Sequence, residues 1–93
     1  MKKLTVFYLT RCPYCRKAKE ALRELTEQVP GYADVEIEWI EESEHPEIAD
    51  RYDYYRVPSV FCEGKKLYEC SPAHGYDEIR QRFGDALRTA MEG

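Results

Sequence analysis

Lys3 to Leu9 is a nearly unbroken apolar run rich in β-branched and aromatic residues, the pattern of a strand buried on both faces. After Thr10-Arg11 the period changes. Ala18, Ala21, Leu22, Leu25 and Val29 fall at i, i+3, i+4, i+7 and i+11, one apolar stripe along a helix from about Pro13 to Gln28. Pro13 suits the first helical position, where a missing N–H costs nothing, and Pro30-Gly31 ends the helix. Val35, Ile37 and Trp39 alternate with Glu36 and Glu38, the period of a second strand. Glu41-Glu42-Ser43-Glu44 reads as a polar connection, and Pro46 opens a short helix with Ile48, Ala49 and Tyr52 on one face.

Val57 to Cys62 is a third strand with a proline near its start, where proline is tolerated. Glu63-Gly64 fits the centre of a tight hairpin turn, from which Lys66 to Glu69 returns as a fourth strand. Beyond the loop Ser71 to Gly75, a last helix carries Ile79, Phe83, Ala86, Leu87 and Ala90. Gly84 inside it costs about 1 kcal/mol relative to alanine. The order β-α-β-α-β-β-α, with helical crossovers and then a hairpin, predicts an α/β fold: a four-stranded mixed sheet with helices on both faces.

Composition narrows the class. The 93 residues suit a single domain, 1–93, with a small core. Leu, Ile, Val and Phe make up only about a fifth of the chain, near the margin of disorder. A net charge of only −4 and eight tyrosines beside Trp39 restore a globular reading. No apolar stretch is long enough to span a membrane, and the run after Met1-Lys2-Lys3 is too short for a signal peptide. A pI near 5.2 without a basic tract argues against nucleic acid as a partner. Four cysteines are too few for a disulfide scaffold, and with no secretory signal the expected setting is a reducing cytoplasm. The expected unit is a monomer.

In that setting a close cysteine pair points to chemistry. Cys12-Pro13-Tyr14-Cys15 follows a buried strand and opens an amphipathic helix, the context of a redox dithiol. Unsatisfied N–H groups at a helix start stabilise a thiolate, and the thiolate is the nucleophile. Cys12, just ahead of the helix, is the expected attacking sulfur. Cys15, one turn in and shielded, can reach back to resolve a mixed disulfide. The first nineteen residues carry Lys2, Lys3, Arg11, Arg16, Lys17 and Lys19 and no acid, whereas residues 36–53 carry eight acids against Arg51 alone. The basic charges would favour a thiolate, and they equally suit a solvated helix face.

The Cys-Pro-Tyr-Cys tetrapeptide between strand and helix, with Val57-Pro58 leading into another strand, resembles the glutaredoxin branch of the thioredoxin superfamily over nearly the whole chain. The resemblance implies a thioredoxin-like fold and dithiol–disulfide exchange with disulfide-containing protein substrates. It also implies a cis peptide at Pro58, against the dithiol, and no tightly bound cofactor, with glutathione or a thioredoxin reductase as electron donor. Arg11, Tyr14, Arg56, Val57, Pro58, Tyr76 and Asp77 are the candidate substrate or glutathione contacts. The chain also departs from the family pattern. Leu9 stands where glutaredoxins usually carry a lysine, and Arg56-Val57-Pro58 replaces Thr-Val-Pro. His74-Gly75-Tyr76-Asp77 lacks the first glycine of Gly-Gly-x-Asp, and Val6 occupies the place of the buried acid of thioredoxins. Some glutaredoxins hold an iron–sulfur cluster through glutathione, so a metal-binding module is the alternative reading.

The remaining cysteines divide. A two-residue turn at Glu63-Gly64 sets Cys62 opposite Lys65 and Cys70 opposite Val57, too far apart for a disulfide at roughly 3.4 Å per residue against a limit of about 7 Å. Cys62 reads as a small core residue. Cys70, beside Pro58 and near the dithiol, is either an inert loop cysteine or a site for a mixed disulfide. The spacing C-x2-C, 46 residues, C-x7-C is not that of a structural zinc site. His45, opening the second helix, and His74, in the loop, have no metal-ligand spacing either. Tyr14, Tyr54 and Tyr55 are candidates for a substrate surface, and Tyr52 for the core.

Overall fold

The apolar run at the start of the chain needs cover on both faces, and in the computed structural model, which describes Met1–Glu92, it has it. Strand β1 (Leu4–Tyr8) lies inside a four-stranded sheet of order β2-β1-β3-β4. It runs parallel to β2 (Ile37–Glu41) and antiparallel to β3 (Ser59–Cys62), which forms a hairpin with β4 (Lys65–Glu69). Helices α1 (Pro13–Gln28) and α3 (Tyr76–Glu92) cover one face, and the one-turn α2 (Pro46–Ala49) lies on the other. The mixed sheet and the order of elements match the sequence reading.

Alternation along β1 divides the interior. Leu4 and Val6 join Val60, Cys62 and the stripes of α1 and α3 in the main core. Phe7 points the other way, into a second core of Ile40 and Phe61 closed by Ile48, Ala49, Tyr52 and Tyr54. Rings provide most of that cover: Phe7 lies 4.7 Å from Tyr52 and 4.8 Å from Tyr54 between centroids, the latter stacked. Offset and edge contacts of this kind add stabilisation beyond the area buried. Tyr54 thus belongs to this core and not to a substrate surface.

Two differences from the expectation bear on the site. The second strand begins at Ile37, because Gly31 (φ 93°) starts a 3-10 turn over Tyr32–Asp34 and the Val35 N–H closes it on the Tyr32 carbonyl. Only glycine adopts such a backbone without strain. The strand therefore ends at Glu41, which is not part of a connection. In the hairpin, Glu63 (φ 51°) and Gly64 (φ 83°) make the predicted two-residue turn, but a bulge follows it. Cys62 faces Lys65 and Phe61 faces Lys66, whereas Val60 faces Tyr68, so Leu67 is the extra residue. The shift by one sets Cys70 opposite Pro58 rather than Val57, its N–H on the Pro58 carbonyl at 3.0 Å. Because side chains alternate along a strand, that single step also puts Cys70 in the main core.

Candidate active site

The dithiol sits where β1 hands over to α1. Cys12 is the N-cap, with extended backbone (φ −83°, ψ 120°), and Pro13 occupies the first turn, which holds no acid. The Cys15 N–H donates to Cys12 Sγ at 3.3 Å, and the Arg16 N–H donates to the Cys12 carbonyl at 3.1 Å. A sulfur in the capping position therefore takes one of the helix's orphan donors. Cys12 is half-buried and its thiol also points at the Val57 carbonyl, 3.8 Å away. Cys15 is 2% exposed, and burial above all, with the neighbouring Cys12 sulfur adding to it, pushes its thiol up to about 12. One sulfur is accessible and the other is a shielded, protonated thiol.

The Val57–Pro58 peptide is cis, as the resemblance implies, and Pro58 is fully buried. Glu69 of β4 holds the segment before it, accepting the N–H groups of Tyr55 (3.1 Å) and Arg56 (3.0 Å). Burial raises the Glu69 carboxyl, but Lys66 at 2.8 Å and those two N–H groups outweigh it and keep the group below its ordinary range. Between this segment and α1 lies a groove of about 350 Å³ lined by Leu9, Tyr14, Tyr55, Arg56, Val57 and Cys70, among others. Tyr14 closes one side by donating to the Pro72 carbonyl at 3.1 Å, and Tyr55, 89% exposed, stands at the rim. A second depression, of about 390 Å³, is lined by Arg11 and Cys12 with Leu9, Thr10, Glu41 and Ser43.

Of the residues singled out from sequence, Cys12, Cys15, Arg11, Tyr14, Arg56, Val57 and Pro58 meet around the dithiol. Tyr76 and Asp77 do not line either depression. Tyr76 donates its hydroxyl to the Glu24 carboxylate on α1, and Asp77 lies in a separate hollow with Leu25 and Arg80. The cause is the loop after the hairpin: Ser71 N–H donates to His74 Nδ1, which also meets the Tyr68 hydroxyl at 2.8 Å, so α3 starts against α1. Cys70 is 3% exposed, its thiol donating to the Ser71 carbonyl at 3.6 Å, and burial first of all pushes its pKa up. It lies one residue past β4, where the loop begins, yet it is buried in the main core and touches the groove. Cys62 is buried in the main core. His45 caps α2, 3.8 Å from Glu47, and among the described residues no group of three or more His, Cys, Asp or Glu could hold a metal.

Sequence reading missed Glu41. It was hidden in a polar run, and its signal was position: an acid at the carboxyl end of a strand parallel to β1, next to the turn that carries the dithiol.

A family model described as Glutaredoxin matches residues 4–67. The chain belongs to the glutaredoxin family. The family is one of thiol–disulfide oxidoreductases. Among curated relatives, Glutaredoxin-C4 of Arabidopsis thaliana is 40% identical over 68 residues, covering 70% of this chain and 47% of the relative, so the chain spans about half that protein's length. A thioredoxin of Methanocaldococcus jannaschii is 32% identical over 62 residues, 67% of this chain and 71% of that one. Thioredoxin 1 of Thermosipho africanus superposes with a TM-score of 0.60 at 16% identity, covering 96% of this chain and 98% of its own, a likeness of fold. The sheet and helices are those of the thioredoxin fold.

Proposed function

We propose that the protein reduces protein disulfides and glutathione mixed disulfides through Cys12 and Cys15. The observation that carries this is the pairing of an accessible N-cap sulfur, Cys12, with a shielded thiol, Cys15, three residues on and hydrogen-bonded to it through its backbone. The Cys12 thiolate attacks one sulfur of the substrate, that S–S bond breaks, and its electron pair leaves on the other sulfur, which takes a proton. Cys15 then loses its proton to solvent and attacks Cys12 Sγ, forming the Cys12–Cys15 disulfide and releasing the second thiol. The substrate gains two electrons and two protons, and the dithiol loses them.

Two glutathione molecules would return them and leave as glutathione disulfide, the donor to which the family match points. Arg56 is the one cation among the described residues lining the groove beside Tyr14 and Val57, and it would meet a glutathione carboxylate. The protein would act as a monomer in a reducing cytoplasm, with a potential of about −200 to −270 mV.

A coupled reduction assay tests this in two arms, glutathione with its reductase and a thioredoxin reductase. Turnover is expected in the first. Cys12→Ser should abolish it, and Cys15→Ser should spare only exchange with glutathione mixed disulfides. Activity surviving Cys12→Ser would refute the mechanism. Turnover confined to the second arm would replace glutathione as donor.

A further inference from the structure

Glu41 is 8% exposed, an acid at the very end of β2, and every lone pair it offers is in use. One carboxylate oxygen accepts the Thr10 N–H at 3.2 Å and the Thr10 hydroxyl at 2.9 Å. The other accepts the Ser43 N–H at 2.7 Å and the Ser43 hydroxyl at 2.6 Å. These bonds outweigh the cost of burial and hold the carboxyl near 2, so it is charged at any working pH. Charge-assisted bonds to four donors at once make a rigid joint.

What the joint holds is the approach to the dithiol. Leu9-Thr10-Arg11 is the whole connection between β1 and the capping Cys12, and Cys12 itself donates its N–H to the Leu9 carbonyl at 3.2 Å. Parallel pairing sets Glu41 beside Tyr8, so its side chain spans from β2 to the turn two residues before the reactive sulfur. Cys12 and Glu41 line the same depression.

We propose that Glu41 is a positioning residue for Cys12: by gripping Thr10 through both N–H and hydroxyl, it fixes the turn that presents the sulfur as the helix cap. The inference builds on the dithiol reading above, but its test needs no turnover. In the full chain, the rate of Cys12 alkylation by iodoacetamide at neutral pH is followed by peptide mass spectrometry, with thermal unfolding measured on each variant.

Glu41→Ala is expected to slow Cys12 alkylation about tenfold in the folded protein, the scale of losing a capping interaction. Glu41→Gln, which keeps an acceptor but turns an amide donor toward one of the two turns, should slow it about threefold. Ile48→Ala, in the second core, is the stability control. It should lower the melting temperature and leave the alkylation rate unchanged. Thr10→Val should lose part of the rate, and adding it to Glu41→Ala should cost nothing more.

Alkylation of Glu41→Ala at the parent rate overturns the inference, as does equal slowing by Ile48→Ala. If the alanine variant does not fold, the glutamine variant decides by the same comparison. A parent with reactive Cys12 but no disulfide turnover would overturn the proposed function and leave this result standing.

Discussion

Cys15 must lose its proton before it can resolve a mixed disulfide, and its environment opposes that loss. The thiol is pushed up to about 12, first by burial and then by the Cys12 sulfur. Once Cys12 is tied to a substrate it carries no charge and the second cause weakens, but burial remains. The midpoint should therefore fall from about 12 and still stay well above that of an ordinary thiol. A thiol titrating near 12 is ionised in about one molecule in 10⁵ at pH 7, against about 3% for a free cysteine. Resolution should then speed up tenfold per pH unit with no plateau up to pH 9.5, where an ordinary thiol is levelling off. Stopped-flow mixing with a limiting aromatic disulfide resolves this, because attack by Cys12 releases one coloured thiolate and resolution by Cys15 a second. The second phase should be first order, absent in Cys15→Ala, and linear with unit slope in log rate against pH. A plateau with a midpoint below about 9 would refute the argument that burial governs Cys15.

The same groups set the pH limits of the fold. The thiols of Cys15 and Cys70 and the hydroxyls of Tyr54 and Tyr68 are raised by burial, so their contribution is complete below pH 9 and should be lost as pH climbs from 9 toward 12. Glu41 and Glu69 are lowered, so theirs holds above about 4.5 and should fade as pH drops toward 2. Urea titrations across the range would show both limbs, and a flat profile from pH 9 to 11 would contradict the first. Gly84→Ala should stabilise the protein by about 0.5–1 kcal/mol, because a methyl there meets Leu25 at an ordinary 3.8 Å, and a loss of stability in denaturant would show a tighter α1–α3 contact. Mild oxidation of Cys15→Ser, in which the mixed disulfide is not resolved, with glutathione disulfide should leave an adduct at Cys12 and none at Cys70, since Cys70 is 3% exposed. A Cys70 adduct in the mass spectrum would sink that.

What could be read in advance was what periodicity and local chemistry encode. The stripe of α1 and the run of β1 are long and strongly patterned, and Cys12-Pro13-Tyr14-Cys15 carries its meaning in four consecutive residues. The misplaced features depend on contacts between distant residues. Nothing in Lys65 to Glu69 marks Leu67 as a bulge, because the step is set by pairing with β3. The shift of β2 came from a 3-10 turn that a single glycine starts, and Val35 mimicked the alternation while lying outside the strand. Tyr76 and Asp77 followed a motif whose loop here folds differently around His74. Glu41 is a lone acid in a row of acids until Thr10 is brought beside it.

The two faces of the sheet are unequally built, and the site straddles them. Cys12 and Cys15 belong to α1, anchored along its length in the main core against α3. Val57 and its neighbours belong to the segment around α2, a single turn with no buried residue of its own, held mainly by the rings of Tyr52 and Tyr54. Segments with so little buried helix open at low free energy, well below global unfolding. Thermal breathing will therefore loosen the wall beside the dithiol long before it disturbs the sulfurs. If the dithiol exchanges disulfides as proposed, a rigid pair of sulfurs beside a yielding wall would admit partners of differing shape.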